Sequence, residues 1–527
     1  MDQPPGDLNG TGARTRTVSP PNILLITSDQ QHYGTLGCIN PEIRTPALDR
    51  LCAEGVRFDR AYCPNPTCTP TRASMITGLY PSQHGAWSLG TKLPEGVPTV
   101  GDLLRQAGYL TSLIGKAHFQ PLASTAEFPS IETAALARNL DYWRKFHGPF
   151  YGFEHVEIAR MHGDESLVGQ HYAIWMEENG LKDWADYFQP YPPQPNRPTR
   201  SPYWTGPRRW SLPERYHYSV WTADRTIAQI ERAAGMDKPF FCWASFHDPH
   251  PPYIVPAPWS EMYDPARMPV GRLRPGEHDR NPVHFRMTQQ PDAGVRLKEM
   301  FFEDKTIHGF ESHLRCEDDI RKDMACYYGM VSLMDRQIGR ILDGLDRLGL
   351  SEDTLVVFTS DHGHFLGEHG LVAKGPFHYE DLLRVPMIVR WPGQVAAGRV
   401  SGDIQNIVDL APSFLSAAGM NVPGTMTGLD QMDNWRTGRG GRTWSITENR
   451  HTLSKVHLRT YVNRRYKITV YRGSSEGELF DLQDDPREWN NLWDDPSAAG
   501  VKQRLLVEFL QATMESEPTP MPRIAGA

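Results

Sequence analysis

The chain has 527 residues, 39% hydrophobic and 22% charged, long enough to bury a large core. A net charge of −8 excludes a surface built for nucleic acid or anionic membrane, so an anionic ligand has to be drawn in by local positive charge. Seven cysteines, at 38, 52, 63, 68, 242, 316 and 326, show no zinc-like spacing and read as reduced thiols of a cytoplasmic protein, with Cys52 and Cys63 as core thiols.

Residues 1–21 form a polar N-terminal extension with Arg14 and Arg16, followed by no apolar run suited to a signal peptide; no later stretch approaches a membrane span. Five apolar runs read as strands buried in a parallel sheet: Asn22–Thr27, Tyr109–Gly115, Pro239–Phe246, Thr354–Ser360 and Pro386–Trp391. Amphipathic helical patterns lie between them. Pro46–Glu54 stops at Gly55 and Thr99–Ala107 at Gly108. The segment 322–348 carries Met324, Tyr327, Val331, Met334, Ile338, Ile341, Leu342 and Leu345 on one face and stops at Gly349. The alternation predicts an α/β fold over 22–420: a large, doubly wound, mostly parallel sheet flanked by helices.

Two regions depart from that plan. Residues 119–222 are crowded with prolines and aromatics, among them Trp143, Trp175, Trp184, Tyr187, Tyr191, Trp204 and Trp210. They read as a satellite hydrophobic cluster, a subunit contact or a substrate wall. Residues 421–527 are expected to form a smaller α+β subdomain with antiparallel strands. It includes a strand at Tyr466–Tyr471, the segment GELFDLQDDPREWNNL, a helix at Lys502–Met514 and a proline-rich tail.

In an open parallel sheet, ligands bind beyond the carboxyl ends of the strands. There this chain places Asp29 and Gln30, then Lys116 and His118, then His247, Asp248 and His250, then Asp361 and His362 with Glu368 and Lys374 beyond. Any one of these alone would be a cap or a satisfied core residue; four strands delivering them to one edge point to a site. Asp29, Asp361 and His362, with Gln30, offer a hard-cation site suited first to calcium, with magnesium or manganese as alternatives.

The stretch CTPTRASMITG, Cys68 to Gly78, carries Cys68, Pro70, Arg72 and Thr77-Gly78 at the spacing of the sulfatase signature. With TPALDRL, GKAHF, DPHPPY, SDHGHFLGEHGL and LFDLQDDPREWNNL in the same order, the chain resembles the formylglycine-dependent sulfatases of the alkaline phosphatase superfamily over most of its length. The resemblance implies that a formylglycine-generating enzyme oxidises Cys68 to an aldehyde whose hydrate, a geminal diol, is the nucleophile. A serine would be stranded as a stable alkyl sulfate. A diol forms the covalent sulfo-enzyme intermediate and then uses its second hydroxyl to expel sulfate. By the same resemblance Asp29, Asp361, His362 and modified Cys68, with Gln30, ligate one divalent metal. Arg72 and Lys116 hold the hydrate, His118 takes the proton of its second hydroxyl, and His250 and Lys374 meet the sulfate and the leaving oxygen.

Gln30 stands where many members carry a second aspartate, and His362 where many carry asparagine. His247 and His364 have no firm match and read as supporting residues. The expected reaction is hydrolysis of sulfate monoesters, aryl sulfates in particular. The alternative is hydrolysis of phosphonate monoesters or phosphodiesters by the same nucleophile; Lys116-Ala117-His118 favours the sulfatase and Gln30 the alternative. A third reading is a non-catalytic binder of sulfated ligands, which the intact motif disfavours. The expected partners are a small sulfate or phosphonate ester and the modifying enzyme, with homo-oligomerisation left open.

Overall fold

The computed structural model describes residues 20–191, 208–290, 308–310, 312–451, 454–521 and 523–524. Residues 1–19 of the expected N-terminal extension, Trp204, and residues 522 and 525–527 of the tail lie outside the described residues. The central sheet comprises β1 (Asn22–Ser28), β2 (Val56–Tyr62), β3 (Leu110–Gly115), β4 (His155–Ile158), β5 (Phe240–Ser245), β6 (Thr354–Ser360), β7 (Arg384–Val385), β8 (Met387–Arg390) and β9 (Arg399–Asn406). Its order is β7-β2-β8-β6-β1-β5-β3-β4, with β9 paired to β2. The run β6-β1-β5-β3-β4 is parallel throughout. Successive residues of β1 enter different cores, Ile23 and Leu25 on one face and Leu24 and Ile26 on the other, so the sheet is covered on both sides. Each such buried side chain contributes about 1.5–3 kcal/mol.

The run expected as the fifth parallel strand, Pro386–Trp391, is instead antiparallel: β8 pairs Met387 with Thr359 and Arg390 with Val356. A parallel return needs a long crossover, usually a helix. Between Ser360 and Met387 the chain forms only short elements at the carboxyl end of β6, so it re-enters the sheet from that end. Strand β4, missed because HVEI is short and half polar, completes the parallel row.

Of the flanking helices, α1 (Pro46–Glu54) starts on proline and ends at Gly55 as its sequence predicts. Its N-terminus is capped from a distance: the Asp335 carboxylate accepts the N–H groups of Ala47 at 3.1 Å and Leu48 at 2.8 Å. Helix α2 (Cys68–Thr77) is buried at every position and stops at Gly78, whose φ of 64° is the left-handed turn glycine adopts freely. Helix α3 (Val100–Gln106) is capped by Thr99. Helix α4 (Tyr218–Gly235) and the long α5 (Glu317–Arg347) cover one face of the sheet. Within 119–222, Trp175, Trp184, Trp210, Trp221 and Tyr172 pack into a cluster of their own beside the sheet, while Trp143 joins the main core. The C-terminal sheet has four antiparallel strands, β10 (Trp444–Arg450), β11 (His457–Asn463), β12 (Tyr466–Tyr471) and β13 (Gly477–Asp481). Helix α6 (Ala499–Glu515) packs on it through Leu505 and Phe509.

Buried His369 stacks on Tyr379 with ring centroids 3.6 Å apart, and its nitrogens face Glu277 and Asp381. Burial alone would lower its pKa, but hydrogen bonds to Asp381 and Glu277 raise it to about 9. The folded state thus favours the protonated form. Its contribution, about 3 kcal/mol, is fully present below about pH 6.5 and is lost as pH rises through 9. His369→Gln is expected to lower Tm more at pH 6.5 than at pH 9.5; an equal loss at both values would remove this account.

Candidate active site

Strand register builds the site. Ser28 of β1 pairs with Ser360 of β6, so the next residues, Asp29 and Asp361, emerge side by side. Gly115 of β3 pairs with Ser245 of β5, and Lys116 follows, its N–H donating to the Ser245 carbonyl at 2.9 Å. Gly115 is required there: its φ is 107°, and a Cβ would lie 1.9 Å from the Ser245 carbonyl oxygen. Helix α2 then brings its first turn against these strand ends. Cys68 and Arg72, four residues apart, lie on one helix face.

The Cys68 thiol is fully enclosed, with its Sγ 3.5 Å from Asp29 Oδ1, 3.3 Å from His362 Nε2 and 3.4 Å from Lys374 Nζ. Burial raises its pKa, but Lys116, Lys374 and His362 outweigh that and hold the thiol well below its ordinary range. Arg72 donates from Nε to Asp361 Oδ2 at 2.9 Å, and from Nη1 to the Lys116 carbonyl and Ser245 Oγ at 2.8 and 2.7 Å. Lys116 Nζ is in close contact with Asp29 Oδ2 and lies 2.8 Å from His162 Nε2. Asp29 is held well below the usual carboxylate range: burial and Cys68 oppose ionisation, while Lys116 and His250 favour it. Asp361 is pushed upward by burial and by Asp29.

Asp29, Cys68, Asp361 and His362 are all buried and present ligand atoms within 4.8 Å of one another. The donor set fits a divalent cation. His362 Nδ1 lies 2.9 Å from the Gly363 carbonyl; donating there leaves the Nε2 lone pair directed into the cluster. Gln30 Oε1 is buried with no hydrogen-bond partner, a carbonyl oxygen free to ligate. The rest of Gln30 is held: its N–H donates to Asp361 Oδ1 at 3.0 Å, its carbonyl accepts the Tyr327 hydroxyl at 2.9 Å, and its Nε2 meets His364 Nδ1 at 2.9 Å.

His118 adopts a left-handed φ of 61°, and Glu132 secures that turn by accepting the N–H groups of residues 118, 119 and 120 at 2.7–2.9 Å. Burial, then Arg160, push the His118 imidazole well below its ordinary value, and its Nδ1 has no partner. His250 Nε2 lies 3.3 Å from Lys374 Nζ, and burial with His162 and Lys374 lowers the His250 imidazole to about 3. Of the other strand-end residues, Asp248 accepts the Tyr218 and Ser219 hydroxyls, and His247 meets the Ala159 carbonyl at 3.0 Å. Burial pushes Asp248 up to about 7. His364 links Gln30 to the Tyr253 hydroxyl, and Glu368 meets the Arg272 N–H away from the cluster.

The sequence reading missed His162, Arg160, Glu132 and His308. His162 stacks on His250 with centroids 3.8 Å apart and faces Asp29 Oδ2 at 3.5 Å. Arg160 is buried with Nε and Nη1 unpartnered. Both follow β4, so recognising that strand would have exposed them by the same strand-end rule. Glu132 and His308 come from loops and carry no local signal; His308 Nδ1 lies 3.0 Å from His451 Nε2.

At the carboxyl edge of a parallel α/β sheet, the buried thiol, paired carboxylates and cations form an enclosed, charged centre suited to an oxyanion. The sequence model of the family described as Sulfatase matches residues 21–420, and that of the N-sulphoglucosamine sulphohydrolase C-terminal region matches 367–515. The uncharacterized sulfatase YidJ of Escherichia coli is 27% identical over 92% of this chain and 85% of its own. An arylsulfatase of Clostridium perfringens is 26% identical over 90% of each. The phosphonate monoester hydrolase from Silicibacter pomeroyi shares the fold at a TM-score of 0.75, with 24% identity over 95% of this chain and 96% of that one. The chain belongs to the sulfatase family of the alkaline phosphatase superfamily and is a sulfuric ester hydrolase. No helix among the described residues is long and apolar enough to cross a membrane.

Asp361→Asn removes an anionic donor from the candidate metal centre. Bound divalent metal, measured by elemental analysis, is expected to weaken beyond the ~10–100-fold typical of losing an outer-shell partner. Sulfate-ester turnover should fall in parallel. Normal metal content with normal rates would contradict the ligand set.

Proposed function

We propose that this chain hydrolyses sulfate monoesters, with aryl sulfates as the substrate class, using a formylglycine generated from Cys68. The observation that carries this reading is the enclosure of Cys68 Sγ, at 3.3–3.5 Å, by Asp29, His362 and Lys374. In the modified protein the Sγ position is taken by a hydroxyl of the aldehyde hydrate. A bound divalent ion, held by Asp29, Asp361, His362, residue 68 and Gln30, would supply charge neutralisation and lower the pKa of that hydroxyl. Calcium suits the oxygen-rich donor set, with manganese or magnesium as alternatives.

The remaining roles fall to side chains of the chain itself. Arg72 and Lys116, anchored on Asp361 and Asp29, orient residue 68 and offset charge on it. His118, kept neutral by burial and Arg160, is suited to accept the proton of the second hydroxyl as sulfate departs. Lys374 with His250 beside it presents N–H donors to the sulfate oxygens and the leaving oxygen, where negative charge develops. The free cysteines support a reducing compartment such as the cytoplasm.

Phosphonate monoester hydrolysis is the second reading, favoured by the Gln30 amide in place of a carboxylate. Sulfate and phosphonate monoesters are both singly charged tetrahedral anions, so charge does not separate them. With metal-replete protein verified by mass spectrometry to carry formylglycine at position 68, kcat/KM is expected to be higher for an aryl sulfate than for a phenyl phosphonate monoester. A constant far higher for the phosphonate reverses the ranking. Cys68→Ala is expected to abolish turnover with the fold retained by circular dichroism. Full activity in that variant, or in protein with an unmodified thiol, sinks the nucleophile assignment.

A further inference from the structure

Far simpler chemistry than that of Cys68 is laid out at a pair of thiols, Cys38 and Cys52. Cys38 is exposed in the turns between β1 and α1, and Cys52 is half-buried in the second half of α1, not the core thiol its sequence suggests. Their sulfurs lie 3.3 Å apart. A disulfide requires about 2.05 Å, so an approach of little more than 1 Å separates the dithiol from the bond. The Cys38 turn is already tied to the helix: the Gly37 N–H donates to Thr45 Oγ1 at 2.7 Å and the Cys38 N–H to Asp49 Oδ1 at 2.8 Å, while Thr45 Oγ1 donates to Asp49 Oδ1 at 3.1 Å. Arg57, at the start of β2, points its Nη1 at Cys38 Sγ from 3.4 Å while its Nε pairs with Asp59 at 2.9 Å.

From this geometry we propose that Cys38 and Cys52 form a reversible, hydroperoxide-reactive dithiol site, with Cys38 the attacking thiol and Cys52 the resolving one. The hydrogen bond with Cys52 and the Arg57 guanidinium lower the Cys38 thiol to about 6, against burial and Asp49; Cys52 is pushed up by Cys38 and by burial. The Cys38 thiolate attacks one oxygen of the hydroperoxide, forming an S–O bond and breaking O–O. With hydrogen peroxide the products are a sulfenic acid and hydroxide. Cys52 then gives up its proton, its sulfur attacks the sulfenic sulfur, and the S–O bond breaks to release the second oxygen as water. Two thiols and one hydrogen peroxide become one disulfide and two waters. A dithiol reductant reverses the result by thiol–disulfide exchange. Cys316 serves as an internal reference: it too is exposed, and its Sγ lies 3.3 Å from the Asp319 carboxylate.

The test uses the whole protein, treated with hydrogen peroxide and then alkylated. Trypsin cuts after Arg44 and Arg50, placing the two cysteines on separate peptides joined only by a disulfide. Cys38 is expected to lose alkylation roughly tenfold faster than Cys316. Cys52 should be lost with it as a cross-linked peptide two hydrogen masses lighter, and dithiothreitol should restore both. In Cys52→Ser, Cys38 should be trapped by dimedone as the sulfenic acid. Oxidation of Cys38 no faster than of Cys316, its loss while Cys52 remains alkylatable, or no dimedone adduct in Cys52→Ser would each overturn the proposal.

Discussion

Two carboxylates that cannot reach water dominate this molecule. Asp29 and Asp361 are fully buried just beyond the ends of neighbouring strands, and like charges brought together without solvent cost several kcal/mol each unless paired. At an effective dielectric near 20, an opposite charge 4 Å away returns about 4 kcal/mol, so each acid needs a cation in direct contact. Arg72 supplies one and Lys116 the other, and both are themselves fully buried. None of the four groups is tolerable alone, which makes the centre interdependent. A donor cluster of this density is also a ready receptor for a divalent ion.

The scaffold holds that centre in backbone conformations an isolated chain would leave. Gln30 and His118 both take positive φ, which costs a non-glycine residue about 1–3 kcal/mol and persists only where surroundings over-determine it. Asp361 and Tyr327 fix the first, and Glu132 the second. The C-terminal sheet takes part too. The Glu448 N–H donates to the Pro64 carbonyl, Asn65 Nδ2 donates to the Glu448 carbonyl at 2.6 Å, and Thr447 donates to that of Cys63. The approach to Cys68 is therefore pinned by residues almost 400 positions away. A buried Lys467 reinforces the junction by pairing with Glu488 and with Glu380, which also accepts the Tyr62 hydroxyl at 2.9 Å.

The fold class and most proposed site residues were legible because both rest on local rules. Apolar runs of strand length, helical periodicity and glycine stops are written in consecutive residues. The polar residue after a buried strand has to emerge at the sheet edge. Hence Asp29, Lys116, His250 and Asp361 could be named from the chain, and Cys68 with Arg72 from their motif. Strand direction at Met387–Arg390 was not legible, because an apolar run reads the same in either orientation. Strand β4 escaped because two of its four residues are polar, and it took Arg160 and His162 with it.

What the amino-acid order determined by itself is the set of chemical groups and the edge at which they surface, since periodicity and strand length act over a few residues. Only the folded chain decided which groups touch. The register of Ser28 on Ser360 sets the carboxylates side by side, Glu132 bends the His118 turn, and helix α1 carries Cys52 to within 3.3 Å of Cys38. Those contacts join segments separated by 14 to more than 300 residues, and their geometry comes from the packing of layers, which no local pattern encodes.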